Sequence, residues 1–284
     1  SCMKGRINSN NQTINLGMFE DKFNNIFIKD YFNNCHSIII CACGTSLNSG
    51  LIGKQIIEEL CDIPVFVEQA SEFRYRESAI NPKSIMIVLS QSGETADTLG
   101  ALRKAKKHNI LTISICNVVG SSISREADSG VFLYVGPEIG VASTKAFTGQ
   151  ILVLYMIALR ISLTKKININ KSKNILNELI KIPKLIDTIL SNKENIKGIA
   201  NKYSNNNNLL CLGRGYNYSV ALEGALKIKE VSYIHAEGYS SSEIKHGPIA
   251  LIDENMPTLI IIPKDNIYSK VVSNIKEIQS RKGK

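Results

Sequence analysis

Ser90, Ser92 and Thr95, with the amide of Gln91 between them, crowd polar groups into the six residues Ser90-Gln91-Ser92-Gly93-Glu94-Thr95. The run follows a wholly apolar stretch, Ile85-Met86-Ile87-Val88-Leu89, and precedes a helical pattern that starts near Ala96. A helix N-terminus leaves backbone N–H groups unpaired. Hydroxyls gathered there make a pocket for a small anion, above all a phosphate, with no need of Lys or Arg. One hydroxyl suffices to cap a helix. Three hydroxyls and an amide exceed that need, which favours ligand binding.

The elements that must hold this cluster alternate in type. Ser37 to Cys43 reads as a strand that turns at Gly44-Thr45-Ser46 into a helix ending near Leu60, and Pro64 to Gln69 reads as a second strand. After the Ile85 strand come a helix from Thr95 to His108, a strand from Leu111 to Asn117, a short helix around Ser121 to Ala127 and a strand from Gly130 to Val135. Short buried strands alternating with helices imply an α/β fold, a parallel sheet covered on both faces. Ligands of such sheets sit beyond the carboxyl ends of the strands, where Ser46 and Ser90 to Thr95 become neighbours.

The chain has 284 residues, 44% of them hydrophobic, room for more than one core. Its net charge of +9 is spread along the chain, with 6% aromatic residues and no Trp for base stacking, so it reads as a solvated surface and not as a nucleic-acid interface. The 7 cysteines show no paired spacing, which fits buried, reduced thiols and neither a disulfide framework nor a zinc site. No signal peptide is visible at the start, and the longest apolar run, Ile151 to Leu163, carries Arg160 and is too short to span a bilayer. A cytoplasmic protein with no membrane segment is expected, and the basic end at Lys284 reads as a cut through something longer.

The first pattern then recurs. After a polar, helical interval and the tract Asn205 to Asn208, a strand at Leu209 to Leu212, a turn at Gly213-Arg214-Gly215 and a helix from Ser219 repeat the layout, followed by a strand at Thr258 to Pro263 and a helix from Ser269 to Arg281. This implies an internal duplication with a shorter second copy. The division is a lead-in over 1–30, a first domain over 31–165, a helical linker over 166–200 and an incomplete second domain over 201–284. In the second copy Glu223, Lys227 and Glu230 are spaced by four and three and share one helix face. Spacing alone favours a surface ion-pair ladder there, and it leaves His235 and His246 open between structural and chemical roles.

Gly44-Thr45-Ser46, the Ser90 to Thr95 run, Glu138-Ile139-Gly140-Val141-Ala142-Ser143-Thr144-Lys145, and Glu223 to Lys227 through His246-Gly247-Pro248 together resemble the isomerase half of glutamine–fructose-6-phosphate aminotransferases. The resemblance runs over nearly the whole chain and implies two sugar-isomerase (SIS) domains, each a doubly wound, flavodoxin-like parallel sheet, the second truncated at its C-terminus. It implies conversion of fructose 6-phosphate and ammonia to glucosamine 6-phosphate, the entry to the hexosamine pathway, with no cofactor and no metal. The sugar phosphate is expected against Thr45, Ser46, Ser90, Gln91, Ser92 and Thr95, with Val141, Ala142 and Ser143 along the sugar chain. Glu230 matches the base that moves a proton between C1 and C2, Lys227 a residue that assists it, and His246 the residue that opens the ring and reaches into a neighbouring subunit, so a homodimer is implied.

Those residue types suit the task. A carboxylate abstracts a carbon-bound proton, an imidazole exchanges one near neutral pH, and an anchored phosphate holds the reacting end at the base. The chain departs from the family in two respects. The glutaminase domain that releases ammonia is absent, Cys2 cannot replace its nucleophile, and Lys284 is not in the context of the family's Schiff-base lysine. Turnover by the chain alone is therefore expected to be poor or absent. A non-catalytic sugar-phosphate sensor and a phosphofructosamine deglycase remain alternatives on the same fold.

Overall fold

The computed structural model describes residues 1–8 and 12–284. It comprises two compact units, Ser1–Ile182 and Pro183–Lys284.

In the first unit, in chain order, α1 (Ile28–Asn34) leads to β1 (Ser37–Ala42), α2 (Gly44–Cys61), β2 (Val65–Gln69), the single turn α3 (Ala70–Phe73), β3 (Ser84–Ser90), α4 (Ala96–Lys107), β4 (Leu111–Cys116), α5 (Ser122–Glu126) and β5 (Ser129–Phe132). Two further helices, α6 (Lys145–Lys165) and α7 (Ile169–Leu179), complete it. The strands form one parallel sheet in the order β2-β1-β3-β4-β5, the doubly wound order of flavodoxin-like folds. Every residue of β1, β3 and β4 is buried, as continuous apolar strands in a sheet covered on both faces must be.

Alternation along these strands builds two cores. Ile39, Cys41, Met86 and Val88 pack with Phe73 of α3, Ala101, Leu102 and Ala105 of α4 and Ile123 of α5. On the other face α2 lies close to the sheet and to α6. A Cβ at Gly50 would stand 2.9 Å from Ile40 Cγ2, and one at Gly53 2.6 Å from Leu154 Cδ1. The apolar run expected over Ile151 to Leu163 is the centre of a 21-residue helix, long enough to cross a membrane, whose Val153, Leu154, Met156, Ile157, Ala158 and Leu159 are wholly buried. Residues 1–30, expected as a lead-in, also contribute core. Ile14, Leu16, Met18 and Phe19 are buried, and the Phe19 and Phe32 rings lie 5.4 Å apart.

The interval between the two patterns is helical, with α7 in the first unit and α8 (Ile182–Ser191) and α9 (Lys193–Tyr203) leading into the second. There β6 (Asn208–Gly213), α10 (Tyr216–Ser232), β7 (His235–Ser240), β8 (Thr258–Ile260) and α11 (Tyr268–Ser280) follow. The parallel order is β7-β6-β8, which repeats the first three places of the larger sheet. Cys211, Ala221, Ala225 and Ala236 pack α10 on one face, and Leu210, Leu212, Ile244, Ile252 and Ile278 pack α11 on the other. Strand β7 is absent from the elements expected of the sequence, which leaves His235 open between structural and chemical roles. Its inner face is Ala236 and Gly238, and a Cβ at Gly238 would lie 2.7 Å from Leu222 Cα, so the strand is built from small residues because α10 lies directly on it.

All seven cysteines are free thiols, and burial pushes those of Cys41, Cys61 and Cys116 up to about 12 from an ordinary 9.0. Above pH 9 the unfolded chain loses these protons while the folded chain keeps them. The stability present below pH 9 is therefore lost progressively as pH rises towards 12, at about 1 kcal/mol per pH unit per thiol. The urea midpoint is expected to fall steadily from pH 8 to 10.5, with iodoacetamide leaving these three thiols unlabelled in the folded chain at pH 8. Labelling at the rate of an unfolded control would refute it.

Candidate functional site

β1 and β3 are adjacent, and the helices that follow them leave to opposite faces of the sheet, α2 to one and α4 to the other. This is the switch point at which open α/β sheets leave a crevice. Thr45 and Ser46 open α2 at the end of β1, and the Ser90 to Thr95 turn follows β3.

Ser90 is 2% exposed, and its Oγ accepts the Gly93 N–H at 3.0 Å and lies 3.0 Å from Thr95 Oγ1. Ser92 Oγ accepts the Glu94 N–H at 3.1 Å, and Gln91 accepts the Asn117 N–H on its carbonyl at 3.1 Å. The turn is pinned from α5 as well, because the Glu94 carboxylate accepts the Ser122 N–H at 2.8 Å. Hydrogen bonding from Ser122 holds Glu94 below the usual carboxylate range. Gly93 sits at φ +68°, the left-handed region that lets the chain double back here. Thr95 is the N-cap of α4, and its side chain makes no capping bond, so the hydroxyl cluster is not spent on capping.

Val141, Ala142 and Ser143 lie on the segment 133–144 between β5 and α6. The base of this segment is tied by Glu138, whose carboxylate accepts the Thr144 N–H at 2.8 Å and the Ala146 N–H at 3.2 Å. Burial pushes the Glu138 carboxyl up, but these N–H groups and the charge of Lys145 outweigh it and hold it below the usual range. The carboxylate thereby caps α6. Ala142 and Ser143 are half-buried, whereas Val141 is 96% exposed.

In the second unit the three acid–base residues of α10 do not form the solvated ladder that spacing favours. Glu223 is buried, and its Oε1 lies 3.4 Å from Lys227 Nζ, which also meets Glu230 Oε2 at 2.5 Å. The side chains of Lys227 and Glu230 are 19% and 29% exposed. Lys227 is thus clamped between two carboxylates, with Glu230 at the more accessible end. His246 closes the 3-10 turn Glu243–His246 ahead of Gly247 and is exposed.

A row on β7 is not anticipated by the motifs. The Tyr239 hydroxyl donates to Glu237 Oε2, Glu237 Oε1 lies 3.5 Å from His235 Nε2, and His235 Nδ1 lies 3.1 Å from Asn208 Oδ1. The bond to Glu237 pushes the Tyr239 phenol above its ordinary value. Period-two spacing of His235, Glu237 and Tyr239 is the signal that marks them as one face of a strand.

A doubly wound parallel sheet with a hydroxyl cluster at its switch point, followed by a smaller sheet that repeats its first three places, defines a two-unit, flavodoxin-like class of α/β protein. The chain belongs to the SIS domain family, whose profile matches residues 31–160 and 202–284. Within that family its likeness is to glutamine–fructose-6-phosphate aminotransferase [isomerizing]. It is 51% identical to that protein from Chlorobaculum tepidum over 282 residues, which is 99% of this chain and 45% of the relative. With the form named 1 from Rattus norvegicus it is 43% identical over 284 residues, 100% of this chain and 41% of the relative. The chain spans less than half the length of these curated relatives. The solved C-terminal domain of glucosamine-fructose-6-phosphate aminotransferase from Francisella tularensis superposes with a TM-score of 0.88 at 43% identity, covering 95% of this chain and 76% of that one.

Proposed function

We propose that the chain is the sugar-phosphate half of a glutamine–fructose-6-phosphate aminotransferase, which turns fructose 6-phosphate and ammonia into glucosamine 6-phosphate. The phosphate is held by the hydroxyls and amides of Thr45, Ser46, Ser90, Gln91, Ser92 and Thr95. Glu230 serves as the base between C1 and C2, Lys227 assists it, Val141 to Ser143 flank the sugar chain, and His246 opens the ring as part of a homodimer. Ammonia comes from a glutaminase domain on the same polypeptide, and the protein works in the cytoplasm. The domain division of this reading is 31–165 and 201–284.

The observation that carries the reading is the pairing of an almost fully buried Ser90 hydroxyl with Thr95 Oγ1 at 3.0 Å, beyond the carboxyl end of a central parallel strand. Buried hydroxyls aimed at a switch point are the donors an oxyanion needs. Calorimetric titration tests it. Fructose 6-phosphate is expected to bind and fructose not, with Ser90→Ala weakening the phosphate ester by about tenfold, the worth of a hydrogen bond to a charged group. Equal binding of fructose and its phosphate ester would end the proposal.

A further inference from the structure

Gln150 is 0% exposed near the start of α6, a helix whose buried face is otherwise almost entirely aliphatic. A primary amide in such surroundings forfeits its hydration and is kept only where both of its ends find partners. Here they do. Gln150 Nε2 donates to Ser46 Oγ at 2.8 Å, and Gln150 Oε1 accepts from Ser49 Oγ at 2.6 Å. Ser49, itself 0% exposed, also approaches the Ser46 carbonyl at 2.8 Å, which closes a ring between α2 and α6.

A hydroxyl carries one proton. With a lone pair of Ser46 occupied by the amide N–H, its proton is free to point elsewhere, at the end of β1 where the cradle lies. A phosphoryl oxygen only accepts, so this is the orientation it needs. The reversed amide would draw the Ser46 proton onto Oε1 and offer the anion lone pairs instead. Ser49 Oγ stands 2.6 Å from Oε1 and 2.8 Å from the Ser46 carbonyl, so its one proton is given to the nearer Oε1 and opposes that reversal. We infer that Gln150, held by Ser49, is a positioning residue that aims the Ser46 hydroxyl proton at the phosphoryl oxygens of the ligand. The inference rests on the phosphate-cradle reading given above.

Titration of the 284-residue chain with fructose 6-phosphate at pH 8.5 and 6.5 separates this role from packing. In Gln150→Glu the buried carboxylate at pH 8.5 accepts the Ser46 proton, and binding is expected to weaken about ten- to hundredfold. Burial raises a carboxyl's pKa, so at pH 6.5 the protonated acid donates to Ser46 as the amide did and affinity recovers. The unmodified chain runs the other way, because the phosphate begins to lose its second charge near pH 6. Affinity of Gln150→Glu equal to the unmodified chain at both pH values, or weakened equally at both, overturns the inference, provided Ser46→Ala binds weakly. Should Ser46→Ala bind normally, the cradle reading of Ser46 fails and the inference falls with it. If Gln150→Glu does not fold, Ser49→Ala decides: affinity reduced several-fold supports the role, and unchanged affinity overturns it.

Discussion

On the proposed function, Glu230→Gln in a full-length aminotransferase carrying this half and supplied with ammonia is expected to lower glucosamine 6-phosphate formation by about 10²- to 10⁴-fold, the usual worth of a positioned general base. Gln keeps the shape of Glu and can still accept from Lys227 through its carbonyl oxygen, so the helix loses little. Lys227 is not set loose, because Glu223 holds it from the other side at 3.4 Å. Binding of fructose 6-phosphate should be nearly unchanged, since on the proposed function the phosphate contributes the anchoring and Glu230 acts only on the proton. Exchange of the C1 hydrogen with deuterated solvent should fall with the overall rate. Exchange at the parental rate in the variant would remove Glu230 from the mechanism, and loss of binding in step with rate would make it a structural residue.

What makes α10 chemically interesting is invisible in its spacing. Glu223, Lys227 and Glu230 at intervals of four and three describe an exposed ladder as well as a sunken triad. The difference is made by Ala221 and Ala225, whose small side chains let the helix settle on β6 and β7 and carry Glu223 below the surface. Nothing local in the sequence says how deep a helix lies. The central strands of the first unit, β1, β3 and β4, are legible for the opposite reason. A strand buried on both faces is apolar along its whole length, as in Ile85 to Leu89, and needs no knowledge of its neighbours. β7 offers no such run, because it is an edge strand of alternating small and polar residues. Gln150 escapes notice because it stands immediately ahead of an apolar run that dominates any reading of α6. Its partners lie about a hundred residues away on α2, a separation that only the fold closes.

Gly93→Ala is expected to damage both stability and ligand binding, and the comparison with Gly120→Ala isolates why. Both glycines have left-handed backbones, at φ +68° and +74°. An L-residue there costs about 1–2 kcal/mol. A Cβ at Gly120 meets nothing within 4 Å, so that variant should show the backbone cost alone and bind fructose 6-phosphate normally. At Gly93 the new methyl runs into the Ser121 side chain and comes 3.4 Å from Cys116 Sγ. Ser121 must then give up its bond to Ser124 Oγ at 3.1 Å, or the turn must move. Overpacking of this kind adds about 1–3 kcal/mol. Movement of the turn is the more consequential response, because the Gly93 N–H is the donor that fixes Ser90 Oγ, and the Gly93 carbonyl accepts from Ile123 at 3.0 Å. A shift there carries the cradle hydroxyls with it. Chemical denaturation should therefore place Gly93→Ala below Gly120→Ala, and calorimetry should find fructose 6-phosphate affinity reduced in the first variant alone. Equal midpoints with equal affinities would mean that the turn tolerates a side chain, and that its left-handed glycine is not what shapes the phosphate site.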